Sequence, residues 1–502
     1  MKPVEEKPET KGAPVNGAFE EIRERFHAHT TKFLGLKPPK PPLPQTPFIE
    51  GGDRSAESFF AEDWNGRVVF QPAEMERYLQ AVKFFVTVIN SGHTYVWNRE
   101  LGIWVTSGKE AAEREMKNVL RDRYKEHYFR EAFHHLQVAT YEDLARLMTP
   151  EKQVIVANGM LSLETGELST PLPEWFILSR VPWKYDPEAT CPAIEKFISE
   201  IVHAEDVPVI QELFGYCLLN EYPYAKAWMM FGAGANGKST LLELLKRFLG
   251  EENVSNVALQ DLLGRRFAPA ELYGKLANIL ADLTSKALQH TGMFKMLTGR
   301  DRIMAEKKYQ HPFYYMNYAK LVYSANEMPD TKDLTHAFWR RWIMIDFPNR
   351  FEGDDADPEI LDKITIPGEM SGLLNWALAG MRRVWANNGF TETSTTTQVQ
   401  EKWRRLTSSV YAFLEDRTMK HVSNEVPKDV MYAAYAEWCQ GLDLTATTKT
   451  TFSQEMPRWR PGVLATRPRI RGKRIWCWRG IQLKGEVDPE EAPGKPAQSE
   501  LN

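Results

Sequence analysis

Short apolar runs alternate with amphipathic stretches through the middle of this chain. The run Ala227–Phe231 has the composition of a buried strand, and residues 241–249 carry apolar side chains at helical spacing. Three further apolar runs follow, separated by helix and turn signals. This alternation predicts an α/β region over residues 227–351. The three later runs are 276–282, 320–326 and 343–347.

A glycine-rich segment follows the first apolar run directly. Its place between a predicted strand and a predicted helix is the context that a phosphate-binding loop requires. Glycines let backbone N–H groups turn toward phosphates, and the helix N-terminus adds positive potential. Lys238 is predicted to approach the β- and γ-phosphates, and Ser239 to hold Mg²⁺. The predicted nucleotide-binding residues are Gly232, Ala233, Gly234, Ala235, Asn236, Gly237, Lys238, Ser239 and Thr240.

Polar residues at the ends of the later runs are candidates for the hydrolysis of a nucleotide. Asp282 ends the second run, where an acid can position Mg²⁺, and Asn326 ends the third, where an amide can orient a water. Arg340 and Arg341 precede the fourth run and could reach the nucleotide of a neighbouring subunit. The alternatives are that Asp282 and Asn326 are ordinary turn residues, and that the two arginines form a surface salt-bridge pair.

Basic and aromatic residues mix around turn signals between the second and third strands. A hairpin over 298–315 that presents Lys307, Lys308 and His311 would suit phosphate contacts on a single strand of nucleic acid. A solvated charged hairpin is the alternative that the residues alone leave open.

The order of these segments resembles a known family. After the glycine loop come LANILADL, TGRDRIMAEKKYQHPF, YAKLVYSANEMPD and AFWRRWIMIDF, which closely resemble the superfamily 3 helicase core of phage, plasmid and poxvirus-type primase–helicases. NGMLSLETGEL through YDPEATCPAIEKFI is similar to the region that precedes the motor. VYAFLEDR, YAAYAEWC and GKRIWCWRGIQL are similar to the family's C-terminal module, so that the resemblance spans residues 70–483.

The resemblance implies an AAA+-like P-loop motor that forms a hexameric ring on single-stranded DNA and hydrolyses ATP with Mg²⁺. In that motor Lys238 and Ser239 bind phosphate and metal, Asp282 binds the metal, and Asn326 is the sensor. Arg340 or Arg341 acts as the finger in trans, and Lys307 with Lys308 forms the DNA hairpin of the central channel. Forked or origin DNA and a primase or polymerase are the expected partners.

One departure from the family concerns the acid at the second strand. Many relatives have two adjacent acids there, whereas Leu283 follows Asp282. The general base is therefore open: Asp282 serves both metal and water, or an acid from elsewhere contributes. A primase active site would need clustered carboxylates, and the acidic group Asp354, Asp355 and Asp357 fits a solvated loop. We therefore predict a motor without its own primase.

A basic module is predicted near the C-terminus. Eight basic residues between 458 and 479 are interleaved with tryptophans and are not interrupted by an acid. Helical signals at 410–414 and 430–439 precede a candidate hairpin at 471–473, which together favour a winged-helix-like DNA-binding unit. A basic surface for protein contacts is the alternative. The predicted DNA-binding residues here are Arg467, Arg469, Arg471, Lys473 and Arg474.

The whole chain divides into five predicted segments. A proline-dense stretch near its start is typical of an extended linker, and an α/β region before the motor is expected to assist ring formation. The segments are 1–47 (disordered), 48–193 (N-terminal α/β region), 194–385 (motor), 386–483 (basic module) and 484–502 (disordered tail).

Composition and charge limit which other classes of protein the chain can belong to. The net charge of −4 carries no signal for nucleic acid, so any basic surface must be local. Four widely spaced cysteines argue against a zinc ribbon or a disulfide framework. The apolar runs are too short to cross a membrane, which predicts an intracellular protein. The family resemblance implies that its compartment is the cytoplasm of a prokaryotic host or a viral replication site.

Two other functions remain open from the sequence. An origin-binding initiator could use nucleotide as a switch without turnover, which the lone Asp282 would explain. A different AAA+ remodelling ATPase could carry a basic tail. Hydrolysis that depends on Lys238 argues against the first, and stimulation by single-stranded DNA argues against the second.

Overall fold

The computed structural model describes residues 54–89, 91–144, 147, 152–284, 288, 291–308, 312–331, 333–353 and 356–484. The proline-rich segment 1–47 and the tail 484–502, apart from Lys484, lie outside the described residues. Among the described residues, no helix is both long and apolar enough to cross a membrane.

In the described part of the N-terminal region, small sheets are covered by three helices. The strand order is β5-β4-β3-β6 in one sheet and β7-β8-β9 in another. Residues 159–169 form a hairpin in which Leu161 pairs with Leu168. The elements are β1 (Phe60–Glu62), β2 (Val68–Phe70), α1 (Pro72–Val82), β3 (Phe85–Val88), β4 (Thr94–Asn98), β5 (Ile103–Val105), α2 (Gly108–Leu120), α3 (Glu126–Ala139), β6 (Tyr141–Glu142), β7 (Gln153–Val156), β8 (Gly159–Ser162) and β9 (Leu168–Ser169).

A parallel sheet forms the centre of the molecule. Its order is β11-β12-β15-β10-β16, so that β10 lies between β15 and β16. All its strands point the same way, which brings their carboxyl ends to one edge. The mixed α/β fold predicted from the alternating pattern is therefore confirmed. The elements are α4 (Pro192–Ile201), α5 (Val207–Cys217), β10 (Ala227–Phe231), α6 (Lys238–Leu249), β11 (Val254–Ser255), α7 (Leu259–Gly264), β12 (Ala277–Leu280), α8 (Gly292–Leu297), β13 (Arg302–Ala305), β14 (Phe313–Met316), β15 (Lys320–Ala325), α9 (His336–Trp339) and β16 (Trp342–Asp346).

Helices close over both faces of this sheet. On one face α6 packs with α4, α5 and the long helix that follows residue 366. Glycine permits the closest of these contacts, because a Cβ at Gly215 would lie 2.3 Å from the carbonyl oxygen of Ala377. The following helices are α10 (Ile360–Ile364), α11 (Pro367–Asn387) and α12 (Ser394–Thr407).

The helix α12 covers the other face of the sheet. Gln400 Nε2 donates to the carbonyl oxygen of Trp339 at 2.8 Å, and the buried Trp403 donates from Nε1 to the carbonyl oxygen of Pro329 at 2.9 Å. Packing of the central sheet therefore continues past residue 385, into the segment that the sequence assigns to the C-terminal module.

The C-terminal module is a small helical unit with a three-stranded sheet of order β17-β21-β18. Its helices bury Phe413, Tyr435 and Phe452 against that sheet. The elements are α13 (Ser409–Arg417), β17 (Thr418–Pro427), α14 (Lys428–Gly441), α15 (Lys449–Trp459), β18 (Leu464–Thr466), β19 (Arg469–Ile470), β20 (Lys473–Arg474) and β21 (Cys477–Leu483).

Lys320 is fully buried at the start of β15. Its ammonium donates to the carbonyl oxygens of Leu219 and Glu221 and lies 5.0 Å from the ring centroid of Tyr216. Burial lowers the pKa of Lys320 from 10.5 to about 7, with the nearby Cys217 and Glu221 opposing the shift. The lysine therefore connects β15 to the segment after α5 by hydrogen bonds, and the free-energy cost of burying its charge depends on pH.

We expect this buried lysine to make stability depend on pH. Between pH 7 and pH 10.5 the unfolded chain binds a proton at Lys320 that the folded chain has lost, so stability rises with pH over that window. The melting temperature of wild type should therefore rise between pH 6.5 and pH 9.5 relative to that of Lys320→Met. Calorimetry with the exposed-site control Lys196→Met checks this, and parallel curves for wild type and Lys320→Met would contradict it.

Candidate functional site

The glycine-rich loop leaves the carboxyl end of β10 and enters α6. Three residues in it have left-handed backbone conformations: Gly234 (φ +102°), Ala235 (φ +49°) and Gly237 (φ +83°). Successive turns of this kind point backbone N–H groups into one concavity, which suits an anion. A Cβ at Gly237 would lie 2.6 Å from Cγ2 of Ile201, so glycine is also required there by the contact with α4.

Lys238 occupies the first turn of α6 and is only 4% exposed. Its ammonium donates to the carbonyl oxygen of Gly232 at 2.7 Å and to Oδ1 of Asn236 at 2.9 Å, so it lies within the loop. Burial lowers the pKa of Lys238, and the carboxylates of Asp282 and Asp346 oppose that shift. A cation held in this way, beside exposed Ser239, is suited to binding a polyphosphate with its metal.

Asp282 and Asn326 lie close together at the same edge of the sheet. Both are exposed, two residues beyond β12 and one residue beyond β15 respectively. Ser324 of β15, two residues before Asn326, accepts the N–H of Asp282 through its Oγ at 3.2 Å. Asp282 has φ +55°, an uncommon conformation for a residue other than glycine. The structure thus brings the predicted metal ligand and the predicted sensor to the edge that carries the loop.

Asp346 is a further acid at this edge, which sequence reasoning missed. It ends β16 and pairs in register with Phe231, the residue before the loop. Its Oδ2 lies 3.4 Å from Nε2 of His203, which follows α4. The signal in the sequence was the acid that ends the fourth apolar run, but only the strand order reveals that this run borders β10.

The structure separates the two neighbouring arginines. Arg341 is 9% exposed, and its guanidinium donates from Nε to Oγ1 of Thr298 at 3.0 Å and to the carbonyl oxygen of Ala337. Arg340 is exposed. Both precede β16, roughly 15–20 Å along the strand direction from its carboxyl end. Neither arginine therefore reaches the loop of its own chain along this strand.

The strands β13 and β14 form the hairpin predicted to contact DNA. Lys307 and Lys308 follow β13, while His311 lies outside the described residues. One hairpin face packs into the core through Ile303 and Tyr315. The opposite face exposes a set that sequence reasoning did not single out, in which the guanidinium of Arg302 lies 4.8 Å from the ring centroid of Tyr314. That exposed set is Arg302, Met304, Tyr314 and Met316.

A second basic surface lies at the β19–β20 hairpin of the C-terminal module. Its turn is made by Arg471 (φ +47°) and Gly472 (φ +80°). Trp476 is 51% exposed, and two cations lie near its ring, Arg467 at 5.3 Å and Lys428 at 5.4 Å from the ring centroid. The predicted DNA-binding residues here are all exposed: Arg467, Arg469, Arg471, Lys473 and Arg474.

The acidic group Asp354, Asp355 and Asp357 is described only in part. Asp354 and Asp355 lie outside the described residues. Asp357 is exposed and pairs with Lys363 at 2.7 Å, and this contact holds the pKa of its carboxyl below the ordinary range.

Three family models match separate parts of the chain. The model "D5 N terminal like" matches residues 74–203, "Family of unknown function (DUF5906)" matches 230–341, and "Poxvirus D5 protein-like" matches 408–461. "Putative helicase L207/L206" of Acanthamoeba polyphaga mimivirus is 29% identical over 206 residues, which cover 39% of this chain and 21% of that protein. The chain thus spans about a fifth of the length of that relative.

Two solved structures also resemble the chain. "The A form apo structure of NrS-1 C terminal region-CTR" has a TM-score of 0.49 at 15% identity, and "The apo structure of NrS-1 C terminal region (305-718)" has 0.49 at 14%. Each match covers 82% of this chain and 99% of the other.

The two D5 models and the mimivirus relative support a D5-type primase–helicase family for this chain. They confirm the resemblance that the sequence motifs indicated.

Proposed function

We propose that this chain is an ATP-dependent DNA helicase that translocates on single-stranded DNA during replication of a virus, phage or plasmid-like element. The observation that carries the proposal is the arrangement at the carboxyl edge of the sheet. There the buried Lys238 lies inside a loop that contains left-handed residues, and Asp282 and Asn326 follow the ends of the paired strands β12 and β15. The similarity to D5-type proteins and to a putative viral helicase supports the same function.

The chemistry assigned to this edge is phosphoryl transfer to water. Backbone N–H groups of the loop and the ammonium of Lys238 bind the phosphates of ATP. The hydroxyl of Ser239 and the carboxylate of Asp282 would hold a Mg²⁺ ion, which neutralises charge on the phosphates. Asn326 orients the attacking water through its amide. Because a single acid follows β12, Asp282 acts on both the metal and the water in this scheme.

The remaining parts serve movement on DNA. We place the motor in an AAA+-like hexameric ring, in which Arg340 acts on the nucleotide of the neighbouring subunit. Lys307 and Lys308 follow the DNA backbone, with exposed Arg302 and Tyr314 on the same hairpin available for phosphate contact and base stacking. The C-terminal module acts as a winged-helix-like unit that holds forked or origin DNA, and primer synthesis belongs to another protein.

The test is ATP hydrolysis with and without single-stranded DNA. We expect DNA to stimulate wild type, and Lys307→Ala/Lys308→Ala to keep basal hydrolysis but lose the stimulation, because removing two phosphate contacts weakens binding across all sequences. The control Lys196→Ala/Lys363→Ala removes the same charge at exposed helix positions and should respond as wild type does.

Two outcomes would lead to other functions. Robust hydrolysis that ignores DNA would favour a remodelling ATPase. Nucleotide binding without hydrolysis would favour an origin-binding initiator that uses nucleotide as a switch, and the lone Asp282 would then be its explanation.

A further inference from the structure

His203 and Asp346 lie beside the glycine loop on the side that the proposed chemistry does not use. Asp346 pairs with Phe231 across β16 and β10, and Gly232 begins the loop immediately afterwards. The side chains of His203 and Asp346 are 38% and 32% exposed, so solvent and ligands have access to both. Their contact of 3.4 Å is long for a charge-assisted hydrogen bond, which leaves the carboxylate capacity to accept others.

Two segments attach this pair firmly to the loop. The end of α4 contacts Gly237 through Ile201, two residues before His203. After β16, the carbonyl oxygen of Phe347 accepts from Nδ2 of Asn236 at 3.3 Å, and the N–H of Phe351 donates to the carbonyl oxygen of Ala235 at 2.7 Å. Together they form a wall along one flank of the loop.

The strand order assigns the two flanks of the loop different roles. Asp282 and Asn326 follow β12 and β15, which lie on one side of β10, whereas β16 lies on the other. If metal and water are handled by Asp282 and Asn326, the terminal phosphate lies on the β15 side. The loop that binds the phosphates follows β10, which lies about 4.8 Å from each neighbouring strand. The nucleoside end of the same ligand therefore lies on the β16 side of the loop.

We propose that His203 and Asp346 form the nucleoside-binding end of the site, with the carboxylate of Asp346 accepting hydrogen bonds from the ribose hydroxyls and His203 positioning it. This inference rests on the proposed function. An acid that accepts from a ribose hydroxyl has the same role in dinucleotide-binding α/β folds. The carboxylate of Asp346 also opposes the lowering of the pKa of Lys238 by burial, so the two groups interact electrostatically.

The test compares the binding of ADP and of 2′,3′-dideoxy-ADP to the full chain by calorimetry with Mg²⁺. Neither ligand has a γ-phosphate, so hydrolysis does not interfere. Wild type is expected to bind the dideoxy compound roughly 10- to 100-fold more weakly, as the loss of hydrogen bonds to a charged acceptor implies. The quantity compared between variants is the ratio of the two dissociation constants, that of the dideoxy compound divided by that of ADP. In Asp346→Ala this ratio should be one, whatever the change in overall affinity, because a uniform effect of charge changes both constants alike.

Controls separate positioning from folding. Glu352→Ala removes an equally charged, exposed acid just beyond Phe351 and should keep the wild-type ratio. His203→Ala should lower the ratio, and His203→Gln, which retains a donor, should restore part of it. If Asp346→Ala does not fold, Asp346→Asn keeps the shape and should still lower the ratio.

Several results would overturn the proposal. A wild-type ratio of one, or a ratio unchanged in Asp346→Ala and Asp346→Asn, would refute ribose recognition while leaving nucleotide binding intact. Loss of discrimination between ADP and GDP in the variants, with the ribose ratio kept, would assign the pair to the base instead. If wild type binds no ADP at all, the proposed function itself fails, and the inference fails with it.

Discussion

Replacing Lys238 by alanine is expected to reduce ATP hydrolysis by at least about 10²-fold while the chain remains folded. The loss follows from the position of the ammonium inside the loop, where a cation in a water-poor site stabilises developing phosphate charge strongly. The measurement is steady-state phosphate release, together with thermal unfolding of the same preparation.

Folding should survive this change because the lysine's burial has a cost of its own. Its pKa is lowered by burial, which means that the charged form is held unfavourably and that Asp282 and Asp346 only partly offset this. Removing the ammonium relieves the desolvation, while the carbonyl oxygen of Gly232 loses a donor. These two effects oppose each other, so we expect a small change in melting temperature.

Lys246→Ala is the matched control for Lys238→Ala. Lys246 lies in the last turn of the same helix and pairs with Glu243 at 3.4 Å, far from the loop. Its removal should leave hydrolysis unchanged, with at most a small loss of stability from the helix C-terminus. Normal hydrolysis in Lys238→Ala would contradict the assignment of the loop to catalysis.

The amino-acid pattern was most informative where the signal is local. Strand, glycine loop and helix follow one another over residues 227–249, and the structure has β10 at Ala227–Phe231 and α6 from Lys238. The ends of β12 and β15 could also be predicted from the sequence, because buried parallel strands are short apolar runs that stop at a polar residue. The pattern alone therefore placed Asp282 and Asn326 at the ends of two strands of one sheet.

Contacts between distant segments could not be predicted in this way. The approach of Asp346 to the loop depends on β16 lying beside β10, and His203 arrives from a helix before the sheet. Likewise nothing in the local pattern distinguishes Arg340 from Arg341. Their difference arises because Thr298, 43 residues earlier, accepts from Arg341 inside the core. Strand order and tertiary hydrogen bonds decide such cases.

Arg340→Ala is expected to lower ATP hydrolysis by about 10³–10⁵-fold, the usual effect of removing an arginine finger. Arg340 is exposed and its backbone carbonyl accepts from Lys226 at 2.7 Å, so the alanine variant should keep its fold. Arg341→Ala should instead destabilise the chain, by about 1–3 kcal/mol for each buried group left without its partner. Unfolding curves and hydrolysis rates, measured on both variants, separate the two roles.

A mixing experiment shows whether Arg340 acts on a neighbouring subunit. Arg340→Ala has an intact loop and Lys238→Ala has an intact arginine, so each alone should be inactive. Mixed in equal amounts, about a quarter of the head-to-tail interfaces would combine an intact loop with an intact arginine, and hydrolysis should return in proportion. Because Arg340 lies at the amino end of β16 and the loop follows the carboxyl end of β10, recovery within one chain is not expected. A mixture that stays inactive, with subunits shown to exchange, would exclude Arg340 as a finger in trans.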